Sequence, residues 1–145
     1  MTRAVRAGMN TLFDEISAEG GIDKGLIVDA VFVCNPVMHH LFLGIDPFEL
    51  GQAPFALATS NALRLRAMDL DLHPSARVYL LPCIAGHVGA DAAAVALSEA
   101  PDKSDDLVLV VDVGTNAEIL LGNRDKVLAC SSPTGPAFEG AQISS

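Results

Sequence analysis

Residues 107–123 read "LVLVVDVGTNAEILLGN". A run of apolar β-formers stops at Asp112, small polar residues follow, and residues 119–121 are apolar again. Two apolar runs joined this tightly predict a β-hairpin. Its tip holds Asp112, Gly114, Thr115 and Asn116. A plain reversal of the chain would use such residues, and so would a site for an anion or a metal. A carboxylate at a strand end can hold Mg²⁺ directly or through water. Gly114 lets a phosphate oxygen approach the backbone, Thr115 and Asn116 supply donors, and successive backbone N–H groups can form an anion nest. No lysine follows, and a strand comes next rather than a helix, so this is not a Walker loop.

A third apolar run, 126–131, follows the turn "NRD". Tight turns between three strands (107–113, 117–122, 126–131) predict an antiparallel meander. Beyond it, "CSSPTGPAFEGA" (130–141) brackets Glu139 with Gly135 and Gly140. The glycines permit close backbone approach and Glu139 could orient water or a metal; a loop leading into a helix is the competing reading. Upstream, Val5, Met9, Leu12, Phe13 and Ile16 recur at helical spacing over 3–18, with glycines 20 and 21 as stop signals. "LIVDAVFVC" (26–34) reads as a strand buried on both faces. Asn35 and Pro36 then open a short helix that ends at Gly44. Residues 45–60 form a loop with apolar anchors, 61–72 fit neither period, 76–82 read as a strand and 86–100 as an alanine-rich helix. The order α β α β α β β β predicts parallel neighbours first and a meander last, in one domain.

Nine basic residues face eighteen acidic ones, a net charge of −9. That balance disfavours nucleic acid as a partner. No apolar run comes near the ~18–20 residues of a membrane span, and the arginines of "MTRAVRAGMN" have no apolar stretch behind them. A cytoplasmic protein with no membrane partner is expected. Cys34, Cys83 and Cys130 form no C-x-x-C pair and lie beside apolar runs, so buried free thiols are expected. His39 and His40 are adjacent; neighbours on a helix point about 100° apart, so one is expected to pack and the other to meet solvent. His87 could face a cleft.

Four blocks, "VMHHLFLGIDPFELGQAPF" (37–55), "LLPCIAGHVGADAAAVAL" (80–97), "VVDVGTNAEILLGN" (110–123) and "ACSSPTGPAFEGAQIS" (129–144), resemble successive parts of the reductive activators of corrinoid proteins. The resemblance covers about residues 26–145. It implies an actin/heat-shock/sugar-kinase-like ATPase domain, with ATP and Mg²⁺ driving reduction of a cobalt(II) corrinoid protein, the implied partner. It also implies a parent whose [2Fe–2S] ferredoxin domain lies outside this chain. By position it places Asp112, Gly114, Thr115 and Asn116 on the second phosphate-binding hairpin. Asp112 would bind Mg²⁺ or its water, Gly135 and Gly140 would approach nucleotide, and Glu118 and Glu139 would polarise water. Residues 1–104 would end the first subdomain and 105–145 begin the second. Two departures stand out. Cys34-Asn35-Pro36-Val37-Met38 replaces the family's Gly-Asn-Thr-Thr-Met, and Asn116-Ala117-Glu118 replaces Asn-Gly-Glu. An ATP site of this kind needs two facing hairpins, so these residues alone are expected to be inactive.

A fold follows from the resemblance: an α/β, ribonuclease-H-like mixed sheet of five strands flanked by helices, in permuted order, with 107–113 pairing beside 26–34. Failing that pairing, the apolar edge would recruit a second chain, giving a homo-oligomer through exposed sheet edges. Two other classes remain open: a non-catalytic docking module for a corrinoid protein, using the acidic surface and the 45–60 loop, and a metal-binding protein using His39, His40, His87 and Asp112.

Overall fold

The computed structural model describes residues 1–114 and 116–134. The fold is α/β, and the chain divides into two compact units, residues 1–91 and 92–145. In the first unit, α1 (Thr2–Gly20) turns Val5, Met9 and Phe13 onto the core, while Leu12 and Ile16 stay exposed. It ends at Gly21, in the left-handed region at φ 61°, a conformation glycine adopts without the usual Cβ clash. Arg6 pins the helix: its Nε donates to Phe42 O at 3.0 Å and its guanidinium meets the Asp71 carboxylate at 2.8 Å. α2 (Pro36–Leu43) begins as the sequence predicts. Asn35 caps it by accepting from the Met38 N–H at 2.9 Å, and it closes at Gly44.

The sheet of this unit has the order β1-β3-β2. β1 (Asp29–Phe32) runs parallel to β3 (Arg77–Leu80), and β2 (Leu63–Arg66) runs antiparallel to it. The central strand therefore contributes the most buried residues, Val78 and Leu80, which join Phe42, Ala67, Leu70, Leu72 and Ala76. Phe32 and Phe42 rings meet at 4.6 Å. The expectation of a doubly buried strand over 26–34 is corrected. Residues 24–26 form a turn, β1 is short, and it is an edge whose Val31 remains 64% exposed.

Both adjacent histidines are buried, against the expectation that one would face solvent. Ala58 N–H donates to His40 Nε2 at 3.0 Å, and His40 Nδ1 lies 2.9 Å from the Pro36 carbonyl that takes its proton. His39 is 0% exposed and neither ring nitrogen has a partner among the described residues. Burial, then the nearby His40, holds its pKa below the ordinary value. The unfolded chain thus binds more protons once the pH falls below about 6.5, and folded stability drops on acidification. His39→Leu is expected to match or exceed the wild type in urea at neutral pH, because it removes unpaired buried polar atoms. It should also lose less stability than the wild type between about pH 7 and 5. Parallel pH curves for the two proteins would contradict this reading.

In the second unit α3 (Ala90–Glu99, its first two residues in the first unit) starts later than predicted. Residues 85–88 close a tight bridge first, and the Ala90 and Asp91 N–H groups then donate to Cys34 O at 3.0 and 3.3 Å. The predicted meander is present: β4 (Val108–Val113), β5 (Asn116–Gly122) and β6 (Val127–Pro133) form an antiparallel sheet in the order β4-β5-β6. The single five-stranded sheet is corrected, since among the described residues the ladder neighbours of β4 and β1 are β5 and β3. A tight turn closes β4 on β5 at small entropic cost, whereas β1 lies some 75 residues back in the chain. No helix among the described residues is long and apolar enough to cross a membrane.

Candidate functional site

The hairpin β4–β5 and its neighbour β6 build the candidate site as a row across one sheet face. Register sets Asp112 opposite Glu118, and Glu118 opposite Ser131. The Ser131 hydroxyl donates to Glu118 Oε1 at 3.1 Å. Asp112 is exposed, and its carboxylate makes no hydrogen bond or ion pair among the described residues. Like charges directly opposite one another are unfavourable in a sheet, so a cation placed between Asp112 and Glu118 would relieve the pair. Two residues along β5, Leu120 is 2% exposed, which anchors the row at the edge of packed structure.

The tip is held by backbone bonds. Gly114 N–H donates to Asn116 O at 2.8 Å, and the Thr134 hydroxyl donates to Gly114 O at 2.6 Å. One amide that could have lined an anion nest is therefore engaged internally, while the Asn116 residue is exposed. The turn itself does not demand a glycine at 114. Among the described residues a Cβ there would meet only Asn116 O at 3.5 Å, an ordinary contact. Gly122 is different: a Cβ would fall 2.2 Å from Lys126 O and 2.5 Å from Val127 Cα.

Of the residues singled out in the sequence, Asp112, Gly114, Asn116 and Glu118 come together on this hairpin. Thr115, Gly135, Glu139 and Gly140 lie outside the described residues. Among the described residues the histidines do not make a metal centre. His40 has both nitrogens engaged, His39 is sealed, and His87 packs its ring 4.3 Å from that of Phe55. Among the described residues no three His, Cys, Asp or Glu side chains are placed to share an ion. The expectation of three buried thiols holds for Cys83 alone: Cys34 is half-buried and Cys130 exposed. Burial, with the neighbouring Cys83 and Asp91, pushes the Cys34 thiol up to about 12. Burial likewise raises Cys83, so neither is a ready thiolate. Sequence reasoning missed the arginines of β2. Its "LRLR" alternation, residues 63–66, was the available signal.

Residues 1–104 match the family described as the RACo middle region, and residues 106–145 match the C-terminal domain of RACo, the ASKHA domain. The corrinoid activation enzyme RamQ of Eubacterium limosum is 37% identical over 142 residues, covering 97% of this chain and 24% of that protein. The [Co(II) methylated amine-specific corrinoid protein] reductase of Methanosarcina barkeri is 31% identical over 134 residues, covering 81% and 24%. A solved structure of a reductive activator for corrinoid, iron-sulfur protein superposes with a TM-score of 0.90 at 35% identity, over 99% of this chain and 23% of that one. The chain thus spans about a quarter of the length of the relatives it matches. By these matches it belongs to the family of reductive activators of corrinoid proteins.

Proposed function

We propose that this chain is the segment of an ATP-dependent reductive activator that carries one phosphate-facing hairpin and the structure leading into it, and that its parent delivers electrons to a corrinoid protein. The observation that carries the reading is the open Asp112 carboxylate, set against Glu118 beside a bare Gly114 backbone, inside the stretch matching the ASKHA domain. Two facing carboxylates suit a hydrated divalent cation, which keeps several waters and takes one or two protein carboxylates. Mg²⁺ held there would neutralise charge on nucleotide phosphates. Asp112 would hold the ion or its water, Glu118 would orient water while Ser131 fixes its carboxylate, and Asn116 would donate to phosphate. Thr115, Gly135, Glu139 and Gly140 keep the same proposed roles. Positioning and charge dominate phosphoryl chemistry, so placement of these groups is what the hairpin supplies.

A [2Fe–2S] cluster does not fit this segment. The ferredoxin type takes four thiolates, and the chain has three cysteines, Cys34 and Cys83 with raised thiol pKa values; among the described residues no three His, Cys, Asp or Glu side chains are placed to share a metal. In this reading the cluster sits elsewhere in the parent, and the segment itself neither carries electrons nor completes an ATP site. The subdomain assignment, with residues 1–104 ending the first subdomain of the ATPase domain and 105–145 beginning the second, is part of the same proposal.

The test is a chimera. Residues 1–145 replace the matching stretch of the Eubacterium limosum relative, and ATP-dependent reduction of that protein's own corrinoid partner is followed by absorbance. Retained ATP-stimulated reduction supports the reading. A folded chimera that binds its partner but does not respond to ATP overturns it in favour of a docking role.

A further inference from the structure

The face of the first unit's sheet that turns away from the core is lined by arginine. In β2, Leu63 and Leu65 pack toward the core, so Arg64 and Arg66 point to the other side. Register sets Arg66 beside Arg77, and Arg64 beside Tyr79, on β3. Asp29 and Val31 of β1 complete the two rows. Together these side chains line a groove of about 640 Å³. Basic side chains are scarce, nine against eighteen acidic ones, yet three of the nine meet here.

Asp29 and Asp69 also line the groove, and of its three guanidinium groups Arg64 is the one without a carboxylate partner among the described residues. The Arg64 guanidinium lies over the Tyr79 ring, 5.5 Å from its centroid, and enters no ion pair among the described residues. Stacking of this kind holds the planar fork and leaves its edge donors free. Arg66 holds Asp69 at 2.9 Å, and Arg77 holds Asp29 at 3.2 Å. Both arginines are largely exposed (71% and 82%), and exposed pairs like these exchange partners readily. Val31 adds an apolar floor that is 64% exposed.

We propose that this arginine-lined sheet face is a docking groove for an extended acidic segment of a partner protein. Arg64 and Arg66 stand two residues apart on one strand, a spacing of about 6.6–6.8 Å. Same-face side chains of an extended segment repeat at that same distance, so acidic residues at alternating positions meet successive guanidinium groups. The groove lies in the first unit and the nucleotide hairpin in the second, so the two proposals stand or fall separately.

The experiment measures fluorescence anisotropy of a labelled peptide of four Glu-Thr repeats, titrated with the full 145-residue chain at low salt. Binding should be at least ~10-fold tighter than for a peptide with the same glutamates contiguous, and the Arg64→Ser/Arg77→Ser variant should lose at least ~10-fold with an unchanged far-UV spectrum. Lys103→Ser/Lys126→Ser, with the same change of charge in the other unit, should bind as the wild type does. Equal binding of the two peptides, or equal losses in the two variants, would reduce the effect to net charge and overturn the proposal. Displacement of the peptide by inorganic phosphate at matched ionic strength would overturn it too, in favour of a phosphate site.

Discussion

Asp112→Ala in the chimera is expected to cut ATP-stimulated corrinoid reduction by about 10²–10³-fold, the usual effect of removing one preorganised charge-stabilising group from a phosphoryl or acyl site. The fold should not notice. Asp112 is exposed and unpaired among the described residues, and exposed substitutions of that kind stay within about 0.5 kcal/mol. Removing one of two facing carboxylates can even stabilise the hairpin slightly. Denaturation of the isolated chain should therefore coincide with the wild type, while the chimera loses its response to ATP and keeps ATP-independent partner binding. Glu118→Gln should cost less, because its carboxylate already shares a hydrogen bond with Ser131. A chimera whose turnover is unchanged by Asp112→Ala would remove the hairpin from the nucleotide site.

The meander was legible because each of its strands is bounded by residues with a mechanism. Gly114 and the "NRD" turn interrupt runs of β-branched and aliphatic residues, and strand positions followed to within a residue or two. α2 was legible for the same reason, since Asn35 and Pro36 specify its start and Gly44 its stop. Pairing beyond the nearest turn was not legible. An apolar run such as 26–34 looks alike whether it lies inside a sheet or at an edge, and periodicity alone does not separate the two. The 61–72 stretch fitted no period because it splices a four-residue strand onto a turn of 3₁₀ helix at Ala67–Leu70. Burial of both His39 and His40 depends on what covers opposite sides of α2, information that sits in other elements. At the candidate site, the residue types were readable from the tip, but the opposition of Asp112, Glu118 and Ser131 required the register of three strands.

Leu80→Ala carries the largest expected effect on stability. The side chain is 0% exposed and sits at the end of the central strand, with Phe32 of β1 opposite on one side and Leu63 of β2 on the other. Truncation removes its transfer free energy and leaves a cavity that a three-stranded sheet packed under two helices cannot collapse to fill, at a cost of about 2–5 kcal/mol. Natural domains hold only about 5–15 kcal/mol, so the urea midpoint should fall sharply with an unchanged slope. Val31→Ala provides the contrast. It lies in the same sheet, one row away, but faces the groove at 64% exposure, and should shift stability by no more than about 0.5 kcal/mol. If β1 were covered on that face as a two-sided buried strand, the two substitutions would cost alike, and the arginine groove would not be open to any partner.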